Sequence, residues 1–148
     1  MKALQFAAII LIAISLVPAG AHLIELPNKI DLDRDAYLTV QQIYRGWALA
    51  GIPLIAALLV TLALSVLSRS ETLPLLFSAA SFVLLLITLI AFFIWVYPVN
   101  QATRNWTVAP ENWQSLRAQW EYMHAVNAVM TLTALVSAVL SVLTWAGK

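Results

Sequence analysis

Apolar residues are gathered into four long stretches of the chain, and charged residues lie almost wholly between these stretches or near their ends. A helix needs about 20 mostly apolar residues to cross a hydrocarbon core of about 30 Å. Each stretch is long enough, so the pattern predicts four membrane-spanning helices. The predicted spans are residues 4–26, 43–67, 73–97 and 113–145.

The spans are expected to be helical because backbone polar groups in lipid must be satisfied within the protein. The connections cover residues 27–42, 68–72 and 98–112, and the first of them is read as a loop. Short connections place consecutive helices antiparallel. We therefore predict an all-α fold, an integral membrane four-helix up-down bundle, with residues 1–148 forming a single transmembrane domain.

The composition agrees with a membrane protein, since 62% of the 148 residues are apolar and 10% are charged. Soluble domains carry about 25% charged residues, and a soluble globule of this size could not bury so many apolar ones. The net charge of +1 gives no basic surface for a nucleic acid. There is no cysteine, which excludes disulfides and thiolate ligands. The expected partners are the lipid bilayer and a small hydrophobic molecule, and a homo-oligomer is left open.

Most of the unusual polar and aromatic residues lie at one end of the predicted bundle. The fourth span opens with a stripe in steps of four, three, four and three residues, which follows one helix face. The stripe consists of Trp113, Arg117, Trp120, His124 and Asn127. It predicts a polar seam that faces the bundle interior.

The two histidines of the chain, His22 and His124, both lie about two helical turns inside the same membrane face. Because the first and fourth helices of an antiparallel bundle are usually neighbours, we expect the two rings to lie close together. Glu25 follows His22 by three residues and shares its helix face. Ionisable residues inside a membrane are costly, and a cluster of them indicates a functional site.

Three segments carry motifs. They are residues 20–27 with G-A-H-L-I-E-L-P, residues 98–100 with P-V-N, and residues 110–124 with P-E-N-W-Q-S-L-R-A-Q-W-E-Y-M-H. Together they resemble the anthrone oxygenase-like family of small four-helix membrane proteins, whose pattern is P-x-N followed by W-x-x-L-R-x-x-W-E-x-x-H. The family often has arginine three residues after the last histidine, where this chain has Asn127. The resemblance implies a multi-pass protein of a bacterial inner membrane.

Some fungal members of that family are associated with oxidising an anthrone to an anthraquinone with molecular oxygen. The resemblance therefore implies an oxygenase-like or redox protein acting on a small hydrophobic aromatic substrate. This chemistry needs a base, for which neutral imidazole is suitable, and donors for an oxyanion, but no cofactor. The expected catalytic residues are His22, His124, Asn100 and Arg117. The expected substrate-binding residues are Trp47, Arg104, Trp113, Trp120 and Asn127.

A haem- or metal-binding redox protein is the first alternative. Two neutral imidazoles on neighbouring helices can ligate haem iron or copper, and two histidines with one carboxylate form the pattern of non-haem iron oxygenases. The metal ligands would then be His22, His124 and Glu25.

A non-enzymatic accessory membrane subunit, whose polar end docks a partner, is the second alternative. A structural role of the individual polar residues is also open. The tryptophans would form an interfacial belt. The carboxylates would pair with arginines, namely Glu121 with Arg117 and Glu25 with Arg45 or Arg104.

Overall fold

The computed structural model describes residues 1–146, and all regular secondary structure in that range is helical. Residues 147–148 of the predicted domain lie outside it. The α-helices are α1 (Lys2–Lys29), α2 (Arg34–Gln41), α3 (Gly51–Leu67), α4 (Thr72–Ala91), α5 (Tyr97–Ala102) and α6 (Trp113–Leu143). Within the described range, the segments long and apolar enough to cross a membrane are Lys2–Lys29, Trp47–Leu67, Thr72–Ala102 and Trp113–Leu143. The chain is an all-α, multi-pass integral membrane protein, as the hydrophobic pattern predicts.

The long helices form a closed ring in which α1 packs against α3 and α6, and α4 packs against the same two helices. The expectation that the first and last spans are neighbours is confirmed. Small side chains allow membrane helices to approach closely. The core of the ring accordingly combines alanines with branched aliphatic residues, and consists of Ile12, Ala57, Leu85, Ala134 and Ala138.

Two serine hydroxyls join α4 to α6 inside the ring. Ser81 Oγ donates a hydrogen bond to the Ala134 carbonyl at 2.9 Å, and Ser141 Oγ donates to the Pro74 carbonyl at 2.9 Å. Both serines are buried. These bonds satisfy polar groups between helices in a medium that offers no water.

The first connection is helical where a loop was predicted. The helix α1 continues past Pro27 to Lys29, and α2 follows after a short turn. The Asp33 carboxylate caps α2 by accepting a hydrogen bond from the Ala36 amide at 2.9 Å. This helix places Tyr37 against α6, at the end of the bundle that carries the histidines.

The second span begins at Trp47 rather than at residue 43. A 3-10 turn covers Gln42–Tyr44, and Gly46 then adopts a φ of 88°. Glycine suits this left-handed conformation because it has no Cβ to clash. A further 3-10 turn, Trp47–Ala50, leads into α3. The chain reversal brings Tyr44 and Trp47 next to His22.

The third span is longer than predicted, while the fourth ends at Leu143 rather than at residue 145. The third passes through a π-helical turn, Phe92–Val96, and continues as α5. Such turns are rare and often occur near functional sites. Beyond α5, Arg104, Asn105 and Trp106 all have positive φ. This left-handed turn buries the Trp106 ring beside the aromatic residues at the bundle end.

We expect Ala138→Leu to lower the free energy of unfolding by about 1–3 kcal/mol, because the added methylenes overpack the ring core. The Ala138 side chain is 1% exposed. Unfolding of the detergent-solubilised protein by sodium dodecyl sulfate, followed by circular dichroism, measures the change. Ala102→Leu, at an exposed position, is the control. Equal stability of the two variants would contradict this packing.

Candidate functional site

The two histidine rings lie close together, tilted with respect to each other, between α1 and α6. Their ring centroids are 4.1 Å apart and their planes are inclined at 31°. His22 is 5% exposed, and its Nδ1 is buried without a hydrogen-bond partner. The structure thus brings together the two histidines that were predicted to lie at the same depth in the membrane. We call His22 and His124 the histidine pair.

Aromatic rings surround the histidine pair. The Trp120 ring lies edge-on to both histidines, with centroid distances of 4.9 Å to His22 and 4.1 Å to His124. The Tyr44 ring is 4.5 Å from His22, and the Trp47 ring is 5.6 Å from it. The Asn100 Oδ1 fixes the Trp120 indole by accepting a hydrogen bond from its Nε1 at 2.8 Å. Asn100 therefore positions an aromatic wall of the site.

A buried lysine lies one layer farther toward the membrane surface. Lys29 is 3% exposed, and its Nζ is 3.4 Å from Glu25 Oε2 and 3.3 Å from Glu121 Oε1. Its ammonium also lies over the rings of Tyr44 and Trp120, at 4.5 and 5.3 Å from their centroids. One cation thus joins two carboxylates and the aromatic wall of the histidine pair.

Hydroxyl and amide groups extend the bonding around the carboxylates, although the buried Glu121 Oε2 has no hydrogen-bond partner. Lys29 donates to the Tyr44 hydroxyl, which in turn donates to Glu25. The Tyr37 hydroxyl donates to Glu121 Oε1 at 2.8 Å. Gln41 donates to the Tyr37 hydroxyl oxygen. We call these six residues the lysine network: Glu25, Lys29, Tyr37, Gln41, Tyr44 and Glu121.

The ion pairs considered for a structural role are not the ones present among residues 1–146. Glu121 pairs with Lys29 instead of Arg117, and Glu25 also pairs with Lys29 instead of an arginine. Arg117 Nη1 donates to the Leu32 carbonyl at 2.6 Å, and its guanidinium stacks on Trp113 at 4.7 Å. It therefore fastens the turn before α2 to α6.

The remaining predicted site residues differ in their distance from the histidine pair. Asn127 is buried about one helical turn beyond His124 on α6, and its Oδ1 has no hydrogen-bond partner. Trp113 packs against Tyr37, outside the rings that touch the histidine pair. Arg104 is exposed on the left-handed turn, and no hydrogen bond or ion pair joins its side chain to the cluster among the described residues. The structure does not bring Arg104 to the site.

The geometry does not fit the haem or the two-histidine, one-carboxylate metal site. Residues 1–146 contain no group of three His, Asp or Glu side chains that could hold a metal ion. The Glu25 carboxylate is engaged by Tyr44 and Lys29. Two axial imidazoles with metal–nitrogen distances of about 2.0 Å place their nitrogens about 4 Å apart and their ring centres farther still. Rings whose centroids are 4.1 Å apart leave no space for a porphyrin between them.

Sequence reasoning missed Lys29, Tyr37 and Gln41. The signal for Lys29 was its position four residues after Glu25, which places both on one face if the helix continues. Pro27, however, suggested that the helix ended before Lys29. Tyr37 and Gln41 were overlooked because their segment was taken as a loop, whereas it is α2.

The two tyrosines of the lysine network lie outside the membrane-spanning segments and are held in their neutral form. Burial raises the pKa of the Tyr37 hydroxyl far above its usual value, and the Glu121 charge raises it further. Burial also raises the pKa of Tyr44, with further contributions from its hydrogen bond to Glu25 and from that charge. Both hydroxyls therefore remain protonated at neutral pH and serve as donors to the carboxylates.

No protein-family model, curated protein or solved structure is significantly similar to this chain. Together, the fold and the site define a four-span membrane protein with a histidine pair, an aromatic wall and a charged network at one end. Function is inferred from these side chains.

We expect Lys29→Met to lower the free energy of unfolding by about 3–5 kcal/mol, because the buried Glu121 carboxylate loses its cation, which it shares with the partly exposed Glu25. Lys29→Met combined with Glu121→Gln should recover part of that loss. Arg34→Met is the control, since the Arg34–Asp35 pair is exposed and worth about 0–1 kcal/mol. Detergent unfolding curves measure all three variants. A loss no larger than that of the control would show that the lysine network does not stabilise the fold.

The raised tyrosine pKa values predict a simple optical result. Tyr37→Phe and Tyr44→Phe should leave the tyrosinate absorbance that develops up to about pH 11 unchanged, since neither hydroxyl ionises in the folded protein. Because the pKa values of these two hydroxyls are higher in the folded than in the unfolded protein, they contribute to the free energy of unfolding. This contribution is complete below about pH 10 and declines as the pH rises beyond it. Absorbance that falls by one tyrosinate in either variant would contradict the assigned donors.

Proposed function

We propose that this protein is a membrane-embedded, oxygenase-like enzyme that oxidises a small hydrophobic aromatic substrate at the histidine pair, in a bacterial inner membrane. The observation that carries the proposal is the buried, unpartnered Nδ1 of His22 beside His124, enclosed by aromatic rings. A free imidazole nitrogen can accept a proton. The flat aromatic side chains around it can stack on a flat aromatic substrate. The resemblance to the anthrone oxygenase-like family supports the same class of reaction.

The proposed reaction converts a CH₂ group between two aromatic rings into a carbonyl, and an anthrone is the model substrate. An imidazole of the histidine pair removes one C–H proton, and the carbanion, stabilised as an enolate, gives its electron pair to O₂. A C–O bond forms, and the peroxide takes a proton to become a hydroperoxide. Loss of the second C–H proton breaks the O–O bond and releases water. One anthrone and one O₂ thus give one anthraquinone and one H₂O.

The neighbouring residues take different parts in this scheme. Trp120, Tyr44 and Trp47 form the walls against which the substrate ring stacks. We assign Asn127, buried beyond His124, as the amide donor to the enolate oxygen. Asn100 holds Trp120, while Arg117 anchors the turn before α2, so both are positioning residues. No cofactor is required for this reaction.

Oxidation of anthrone by the protein in lipid nanodiscs, followed by product absorbance, tests the proposal. We expect His22→Gln and His124→Gln each to lower the rate by about 100-fold or more, because the general base is lost. Tyr122→Phe, at an outward-facing position of α6, should retain the wild-type rate. Circular dichroism and size-exclusion chromatography report whether each variant is folded.

A second measurement does not depend on any variant. With anthrone deuterated at the reacting CH₂ group, the wild-type rate should fall, because C–H cleavage is part of the slow step. A wild-type protein no faster than empty nanodiscs would overturn the proposal in favour of the accessory-subunit alternative. Histidine variants that are folded and fully active would overturn the assigned base.

A further inference from the structure

An apolar groove opens on the lipid-facing side of the bundle between α1 and the start of the second span. Its volume is about 500 Å³, which is within the range of small-molecule sites. Its walls belong to two membrane-spanning segments, so it opens to the bilayer. The lining residues are Ile14, Val17, Pro18, Trp47, Leu49, Ala50 and Pro53.

The groove and the histidine pair have one neighbour in common, Trp47. Pro18 lines the groove and precedes His22 by four residues, which places both on one face of α1. Trp47 is shared, because it lines the groove and its ring lies 5.6 Å from the His22 ring. Trp47 is therefore the residue through which the groove adjoins the histidine pair.

A second observation next to the groove points to a ligand. The His22 side chain is only 5% exposed, yet its Nδ1 has no hydrogen-bond partner. Buried polar groups normally have partners, so an unpartnered one next to an open groove calls for an explanation. A hydroxyl group on the ligand would provide the missing hydrogen bond, and His124 would then be the imidazole that removes the C–H proton in the proposed reaction.

We propose that the groove binds the alkyl tail of a membrane-dissolved hydroxyaromatic amphiphile, whose ring lies at the histidine pair. This inference rests on the proposed function and narrows its substrate class. Only the ring end of such a molecule needs a polar partner, and His22 Nδ1, on the far side of Trp47, offers one. The groove itself is lined by apolar side chains, which suit a hydrocarbon tail.

The bilayer determines how this binding must be measured. A tail that moves from lipid into an apolar groove gains little hydrophobic free energy, because lipid chains are as apolar as the groove. Selectivity for the tail then depends on packing within the groove, and affinity depends on the ring. Ligand concentrations must accordingly be expressed as mole fractions in the bilayer.

Photo-crosslinking in nanodiscs tests the inference, with a 4-decylphenol that carries a diazirine in its tail. Mass spectrometry should find the label on residues 14–18 and 47–53. Val17→Trp fills the groove and should reduce this labelling about tenfold. Val136→Trp, which substitutes a lipid-exposed valine on α6, should leave it unchanged. His22→Gln should also reduce groove labelling, since it removes the partner of the phenol.

The outcomes separate the groove from the proposed reaction. Labelling spread evenly over all lipid-exposed helix faces, or equal labelling of the groove by a diazirine phospholipid, would overturn the inference even if anthrone is oxidised. Groove labelling that Val17→Trp abolishes, without any oxidation of anthrone, would support the binding site and overturn the proposed function.

Discussion

The end of the bundle that carries the site depends on one buried ammonium group. Lys29 contacts carboxylates from α1 and α6, donates to Tyr44 ahead of the second span, and lies over the Trp120 ring. An unpaired charge at this depth would be strongly destabilising, so these elements must assemble together. The aromatic wall and the histidine pair are thereby held directly beneath the network.

The separation between a charged layer and a neutral layer suits acid–base chemistry in a membrane. The carboxylates are engaged by Lys29 and by tyrosine hydroxyls, whereas His22 retains a free nitrogen. The apolar groove beside Trp47 is the proposed route by which a hydrophobic molecule enters from the bilayer. The proposed enzyme would thus take its substrate from lipid and keep its charges toward the membrane surface.

Hydropathy predicted the class of fold and the approximate spans, because a long apolar stretch has one stable arrangement in a bilayer. The three-four spacing on the fourth span likewise predicted a buried seam, and Trp120 and Asn127 are buried. The lysine network could not be predicted in the same way. It depends on α1 continuing past Pro27 and on α2 packing against α6. The Asp33 cap is a local signal for α2, but the contact of α2 with α6 through Tyr37 is a tertiary contact that no local pattern indicates.

The most direct test of the central claim uses nitrogen NMR on protein labelled with ¹⁵N only in histidine. The chain has two histidines, so His22→Gln assigns both sets of ring signals. Addition of a non-oxidisable hydroxyaromatic ligand such as 1-naphthol to the nanodisc-embedded protein should shift the signals of both rings, with the largest change at His22 Nδ1. Unchanged histidine signals at a saturating mole fraction of ligand would contradict a substrate site at the histidine pair.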